Sequence, residues 1–247
     1  MDLSQIDSDT LFGIDRLTLL FQPIADSEQQ ITGMEALLCP HQPELFSPLE
    51  LVQRAEATGE IIPIGQWVLE TACQQLAAWQ SDPATAHWKL GVNVSGVQLR
   101  DGNFDQVVEK ALKASGARPE GLRLELTESV RLLDIDQQLI QQLERIRAMG
   151  VSLALDDVGT GFSSMCQIKT LPLDCLKIDR TFVQDLPDCL TSQCIVRALL
   201  DLADGLGLEV VAEGVETTAQ FEYLRDVGCR AFQGYLFGRP APWPPVS

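Results

Sequence analysis

Apolar residues alternate with polar ones, or gather in β-rich runs, over eight short segments: 18–24, 31–38, 90–95, 122–127, 151–156, 174–179, 208–213 and 231–236. Each segment predicts a strand. Between most of them the apolar spacing lengthens to three and four residues. That spacing predicts amphipathic helices over 47–57 and 64–80, between the second and third strands, and over 103–115, 134–149, 188–205 and 217–227 further on. Ser47-Pro48-x-Glu50 combines an N-cap, a proline in the first turn and a glutamate at N3, the signature of a helix start. Gly116, Gly150, Gly207 and Gly228 follow helical stretches where a left-handed residue closes the last turn.

Strands alternating with helices eight times over predict an α/β fold, a (β/α)8 TIM-like barrel. The start departs from that pattern. Residues 26–30 leave no room for a helix, and so short a connection joins antiparallel strands, because a parallel pair needs a long crossover. The expected architecture is therefore a barrel with an antiparallel first strand. No linker, repeat or low-complexity segment divides the chain, so 1–247 reads as one domain, with a lead-in over 1–15 and a tail over 243–247.

Composition narrows the function. Hydrophobic residues make up 45% of the 247 and charged residues 21%, enough for a sizeable core. The first ten residues lack the basic start and apolar stretch of a signal peptide, and no run of about 18 apolar residues predicts a membrane span. Seven cysteines form no C-x-x-C pair. They read as reduced thiols in a cytoplasm, most of them small core residues. The net charge of −17 excludes a partner bound through a nucleic-acid backbone. A phosphate-bearing substrate would need a local reversal of that field, which divalent cations supply.

Polar residues recur late in the predicted strands: Glu35, Asn93, Glu125, the pair Asp156 and Asp157, Lys177 with Asp179, Glu213 and Gln233. In a barrel these strand ends meet at one mouth. Taken singly, an acid at a strand end caps the next helix or pairs with a surface lysine. Taken together, five or six carboxylates in one cleft repel one another unless cations neutralise them. Oxygen ligands without a Cys or His cluster suit Mg2+ or Mn2+ rather than zinc. Asp156 and Asp157 can both face one metal pair where the strand relaxes into a turn, and the Gly159-x-Gly161 that follows permits a mobile loop.

At these residues the chain resembles the EAL-domain family of cyclic di-GMP phosphodiesterases, from about residue 21 to 242. The matching elements are Gln22-Pro23-Ile24, Glu35-Ala36-Leu37, Asn93-Val94-Ser95 with Gln98, and Glu125-Leu126-Thr127-Glu128. They continue with Asp156-Asp157-x-Gly159-Thr160-Gly161, Lys177-Ile178-Asp179, Ala212-Glu213-Gly214-Val215-Glu216 and Gln233-Gly234-Tyr235. Glu-Ala-Leu alone is meaningless; the ordered series is specific. The resemblance implies a barrel whose first strand runs against the rest, and hydrolysis of cyclic di-GMP to linear pGpG by water activated between two divalent cations, Mg2+ or Mn2+. It implies that Glu35, Asn93, Glu125 and Asp156 ligate one metal, and Asp156, Asp157 and Glu213 the other. Lys177 then contacts the attacking water or the scissile phosphate, with Glu213 a candidate base and Asp157 part of the catalytic set. Gln22, Leu38, Asp179 and Gln233 serve the substrate, and Glu128 and Glu216 anchor the loop over 157–164. A homodimer is also implied.

Two positions depart from the family pattern. Active members have Glu-Ala-Leu-Leu-Arg, whereas the fifth position here is Cys39, followed by Pro40 and His41. A charged hydrogen bond contributes roughly 1.5–3 kcal/mol, so its loss weakens substrate binding by about one to two orders of magnitude. Val158 stands where the family commonly has phenylalanine, in a loop linked to dimer contacts and metal coupling. Cys39 supports a competing reading, a receptor or protein-interaction module that binds cyclic di-GMP without turnover. Intact metal positions favour the enzyme. A carboxylate glycosidase would leave Lys177, Asn93 and the paired aspartates without a purpose. His87 beside Trp88 reads as a surface residue, and Trp67 and Trp79 as core positions of one helix.

Overall fold

The computed structural model describes residues 13–41, 47–127, 136–158 and 164–243. Eight strands close into a barrel in sequence order: β1 (Leu17–Asp26), β2 (Ile31–Pro40), β3 (Lys89–Val94), β4 (Leu122–Leu126), β5 (Ser152–Val158), β6 (Cys175–Ile178), β7 (Glu209–Ala212) and β8 (Ala231–Gln233). β1 runs antiparallel to both neighbours, β2 and β8, and every other pair is parallel. The expected fold, including its reversed first strand, is the one found. The short 26–30 connection turns on Asp26, whose carboxylate accepts from the backbone N–H of Glu28 and Gln30.

The helices are α1 (Pro48–Thr58), α2 (Ile61–Ser81), α3 (Gly96–Arg100), α4 (Phe104–Ser115), α5 (Gln137–Ala148), α6 (Ser164–Thr170), α7 (Arg180–Val183), α8 (Leu190–Leu206) and α9 (Thr218–Asp226). Ser47 and Glu50 form the expected capping box on α1. Gly116, Gly150, Gly207 and Gly228 all take positive φ after their helices. α2 begins three residues earlier than the periodicity indicates, because Pro63 falls in the first turn, where its missing N–H costs nothing. The pattern gives no warning of α3, α6 or α7. α3 and α7 are too short for an apolar stripe and start on side-chain caps, Ser95 and Asp179. None of the helices among the described residues is long and apolar enough to cross a membrane.

The main core lies between the barrel wall and the helices that cover it. Trp79 of α2 is buried, and its ring meets Phe21, Trp88 and Trp243 edge-on at 5.4–5.6 Å. Trp67 packs against this core only partly buried, and His87 is exposed. The C-terminal segment returns across the barrel, where Ala241 and Phe21 exchange backbone hydrogen bonds of 2.8 and 3.1 Å. The cysteine expectation needs correction: Cys73, Cys175 and Cys229 are buried, Cys39 and Cys189 are half-buried, and Cys166 and Cys194 are exposed. The last two sit on the outer faces of α6 and α8, where a small residue meets water as readily as core.

The barrel interior holds a thin apolar belt of Ile24, Ala154, Cys175 and Val211. Strand alternation puts charged side chains above and below it. Below, at the strand N-terminal ends, lie Arg123 and Glu209. Above, at the C-terminal ends, lie the residues described next.

Candidate functional site

Lys177 is the hub of the upper layer. It is 1% exposed, and its Nζ contacts Glu35 Oε2 at 3.2 Å, Asp156 Oδ1 at 3.3 Å, Glu213 Oε1 at 2.6 Å and also Glu125 Oε2. These four acids come from β2, from β4, from β5 and from the chain just past β7, so barrel closure alone brings them together. Asn93 of β3 donates to Glu35 Oε1 at 2.6 Å, and Gln233 of β8 donates to Glu35 Oε2 at 2.7 Å and to Gln22 of β1 at 3.2 Å. Gln22 in turn donates to the carbonyl of Gly238, which ties β1 to the returning C-terminal segment.

A bulge in β5 recruits a fifth acid. The register shifts between Leu155 and Val158, and Asp157 takes φ 56°, a left-handed conformation that an aspartate tolerates better than most residues. Asp156 and Asp157 would otherwise point to opposite faces. With the bulge, carboxylate oxygens of Asp156, Asp157 and Glu213 all lie within 4.8 Å of one another. The Asp157 N–H donates to Asp156 Oδ1 at 3.0 Å, which helps hold the kink. Gly91 makes room in the neighbouring layer, since a Cβ there would collide with the Glu125 carboxylate.

The electrostatics show a surplus of acid. Burial and neighbouring carboxylates push Glu125 up to about 8 despite Lys177, and push Asp157 up to about 6. Burial likewise raises Asp156 and lifts Glu213 well above the usual carboxylate range. Burial opposes ionisation of Glu35 too, but Lys177 with the amides of Gln233 and Asn93 outweighs it and holds Glu35 below its ordinary value. Lys177 pays the desolvation cost of burial, yet Asp156, Glu125, Glu213 and Glu35 raise it well above a free lysine. One ammonium cannot neutralise five carboxylates, and together with burial this leaves four of them resisting ionisation.

A cavity of about 260 Å³ opens over this layer, lined by Gln22, Glu35, Leu37, Asp156, Arg180, Glu213, Glu216, Gln233 and Tyr235 among others. Of the residues singled out from sequence, Gln22, Glu35, Asn93, Glu125, Asp156, Asp157, Lys177, Glu213 and Gln233 converge here. Asp179 sits beside Asp157 and raises it further, while its own carboxylate caps α7 through the Thr181 N–H at 2.9 Å. Glu216 is exposed on the cavity wall. Leu38 lies on the opposite face of β2, bordering a separate cavity of about 90 Å³, and Leu37 occupies the pocket face instead. Glu128 falls outside the described residues, as do 159–163 of the loop it was expected to anchor. Arg180 and Tyr235 were not singled out as site residues. Arg180 directly follows the strand-end triplet Lys177-Ile178-Asp179, and that adjacency was the available signal.

Comparison with known proteins matches the EAL domain model to residues 8–240. The chain belongs to the EAL domain family. The bifunctional diguanylate cyclase/cyclic di-GMP phosphodiesterase MucR of Pseudomonas aeruginosa is 41% identical over 230 residues, which cover 92% of this chain and 33% of MucR. This EAL domain spans about a third of the length of MucR and similar curated relatives, and 75% of two mycobacterial ones. The solved phosphodiesterase of P. aeruginosa MucR in complex with c-di-GMP superimposes with a TM-score of 0.82 at 40% identity, covering 93% of each chain. A manganese/cyclic-diGMP complex of Klebsiella pneumoniae BlrP1 gives a TM-score of 0.78 at 29% identity, covering 91% of this chain and 56% of that one.

The residues of this EAL domain fit divalent cations. Its donors are carboxylate and amide oxygens, the hard set that Mg2+ and Mn2+ prefer. Glu125 Oε1 is buried with no hydrogen-bond partner, a costly arrangement for a carboxylate oxygen and one that a cation relieves.

Proposed function

We propose that this domain hydrolyses cyclic di-GMP to linear pGpG with two divalent cations, Mg2+ or Mn2+. One observation carries the reading: five carboxylates from four parts of the chain meet around a single lysine at the C-terminal mouth of the barrel, leaving a buried carboxylate oxygen unpartnered. Glu35, Asn93, Glu125 and Asp156 would hold one cation, and Asp156, Asp157 and Glu213 the other. When bound, such ions lower the pKa of water and withdraw charge from a phosphoryl group.

The chain's own groups supply the rest. Lys177, ringed in the metal-free domain by four acids that raise it well above a free lysine, would present an ammonium to the water or the scissile phosphate. Glu213 accepts the proton of the attacking water. The new oxygen–phosphorus bond would form as the bond to one ribose oxygen breaks, and that oxygen would take up a proton from solvent, balancing the one left on Glu213. Gln22 and Gln233, braced against each other, position the substrate over Glu35. Asp179 and Glu216 support the Asp157 side of the mouth.

Arg180 changes the expectation raised by Cys39. Cys39 shares the inward face of β2 with Glu35 and Leu37, so the family arginine would point into this mouth from there. His41 is exposed and absent from the cavity lining, whereas Arg180 lines it. Arg180 meets a substrate phosphate from the opposite wall and restores part of the missing charge. Tyr235 presents a half-exposed ring beside it, with the Arg239 guanidinium 4.0 Å from the ring centroid, a surface suited to a purine.

Incubating the pure domain with cyclic di-GMP and Mn2+ or Mg2+, and following linear product by chromatography, tests this reading. Metal-dependent pGpG is the expected result. Calorimetric binding without product would instead favour the receptor reading, which the missing arginine at position 39 supports.

A further inference from the structure

The end of β3 has an unusual support. Asn93, the only amide among the proposed ligands, lies one residue before the strand ends, and the chain then turns into the five-residue helix α3. Ser95 caps that helix: its Oγ accepts from Val97 N–H at 3.1 Å, and its own N–H donates to Gln98 Oε1 at 3.0 Å. The Ser95 hydroxyl donates outward to Glu56 Oε1 at 2.5 Å, reaching across to α1. Gln98 is buried against α2 at Gly65, where a Cβ would collide with its amide, and Gln142 of α5 donates to the Leu99 carbonyl at 3.0 Å. The turn that ends β3 is therefore held by three separate helices.

One side of this turn faces a cavity. The cavity of about 90 Å³ is bordered by Asn93, Val94, Ser95 and Gln98 on the strand side, and by Glu56 and Val52 on the α1 side. Close packing ordinarily fixes a strand end. Here the β3 end borders that cavity, and the hydrogen bond from Ser95 to Glu56 links its two sides. That bond also orients the hydroxyl, because a proton committed to Glu56 leaves a lone pair for Val97 N–H. Without it, Ser95 can rotate, the cap loosens, and Asn93 has room to move away from Glu35.

We infer that Glu56, outside the catalytic cavity, is a positioning residue that fixes the β3 end through Ser95 and so sets the geometry of Asn93 toward a bound cation. This rests on the reading of Asn93 as a metal ligand. Groups one step behind a ligand commonly change metal affinity 10–100-fold when removed.

The test is calorimetric titration of the chelator-treated domain with Mn2+, comparing wild type with Glu56→Ala, Glu56→Gln, Ser95→Ala and Asn93→Ala, each also melted without metal. Glu56→Ala and Ser95→Ala are expected to weaken Mn2+ binding by about 10-fold or more, while Glu56→Gln, which keeps an acceptor for Ser95, stays close to wild type. Ser95→Ala carries the test if Glu56→Ala fails to fold. Unchanged Mn2+ affinity in Glu56→Ala and Ser95→Ala, with only a lower melting temperature, overturns the inference and leaves Glu56 a structural residue. If Asn93→Ala also binds Mn2+ normally, the ligand reading itself fails, and the two failures are thereby told apart.

Discussion

The two mouths of this barrel both bury a cation, and they differ in how its charge is met. At the N-terminal mouth Arg123, 5% exposed, pairs with Glu209, which also takes Lys89 at 2.7 Å. Two cations share one carboxylate there, and Arg123 and Lys89 hold Glu209 below its ordinary value against the opposing effect of burial. At the C-terminal mouth five carboxylates share one lysine, and most are pushed upward. The larger cavity, about 770 Å³ against about 260 Å³, lies at the N-terminal mouth. Volume is therefore a poor guide to the proposed site. Surplus acid is the better one: a carboxylate already matched by two cations calls for no more, whereas five carboxylates sharing one lysine call for further cations.

The sharpest break between the mouths should come from Asp156→Ala. It is expected to reduce hydrolysis by at least about 10³-fold, since both proposed metal positions lose a ligand. It should also leave the metal-free protein as stable as wild type or more so, because one repelling charge has gone; parallel product chromatography and melting curves read both. The reverse pattern is expected from Glu209→Ala. Arg123 then stays buried without its partner, at a cost of about 1–3 kcal/mol read by denaturant unfolding, while turnover of the folded protein is unchanged. Loss of activity beyond loss of folded protein would join the two mouths functionally and undo the contrast.

Within the C-terminal mouth, Cys39→Arg is expected to tighten cyclic di-GMP binding by about 10-fold or more, and Arg180→Ala to raise KM by about 10-fold with little change in kcat. No change in either would remove the charge deficit assigned to position 39 and the compensation assigned to Arg180. The smallest effect concerns pH. Acids raised by the fold bind more protons folded than unfolded, so their contribution is complete below about pH 3.8 for Asp157 and about 4.5 for Glu125, and drains away as pH rises through about 6 and about 8 respectively. Glu209, held low, acts in the opposite sense and loses its contribution on acidification below about 4.5. Chelator-treated protein should therefore melt a few degrees lower at pH 8 than at pH 5, saturating Mn2+ should reverse the loss, and Asp156→Ala should flatten the trend. A melting temperature that rises over this range would contradict the account of the acid surplus.

Period-two and helical spacing determined the strands, most helices and the reversed start of the barrel, because those follow from local geometry and connection length. Glu35, Asn93, Glu125, Asp156, Lys177, Glu213 and Gln233 were legible as polar residues late in strands, and a closed parallel barrel sends such positions to one mouth whatever their separation in the chain. Tertiary structure alone decided the rest. The end of the strand already allowed Asp156 and Asp157 to face one metal pair, but the left-handed bulge at Asp157 that brings them to one side is seen only in the structure. The choice of Leu37 over Leu38 for the pocket, the entry of Arg180 from β6, and the reach of Glu56 across a cavity to Ser95 each depend on which side chains meet after closure. Those meetings are long-range contacts, set by packing between elements, whereas the sequence by itself reports only what each element prefers along its own length.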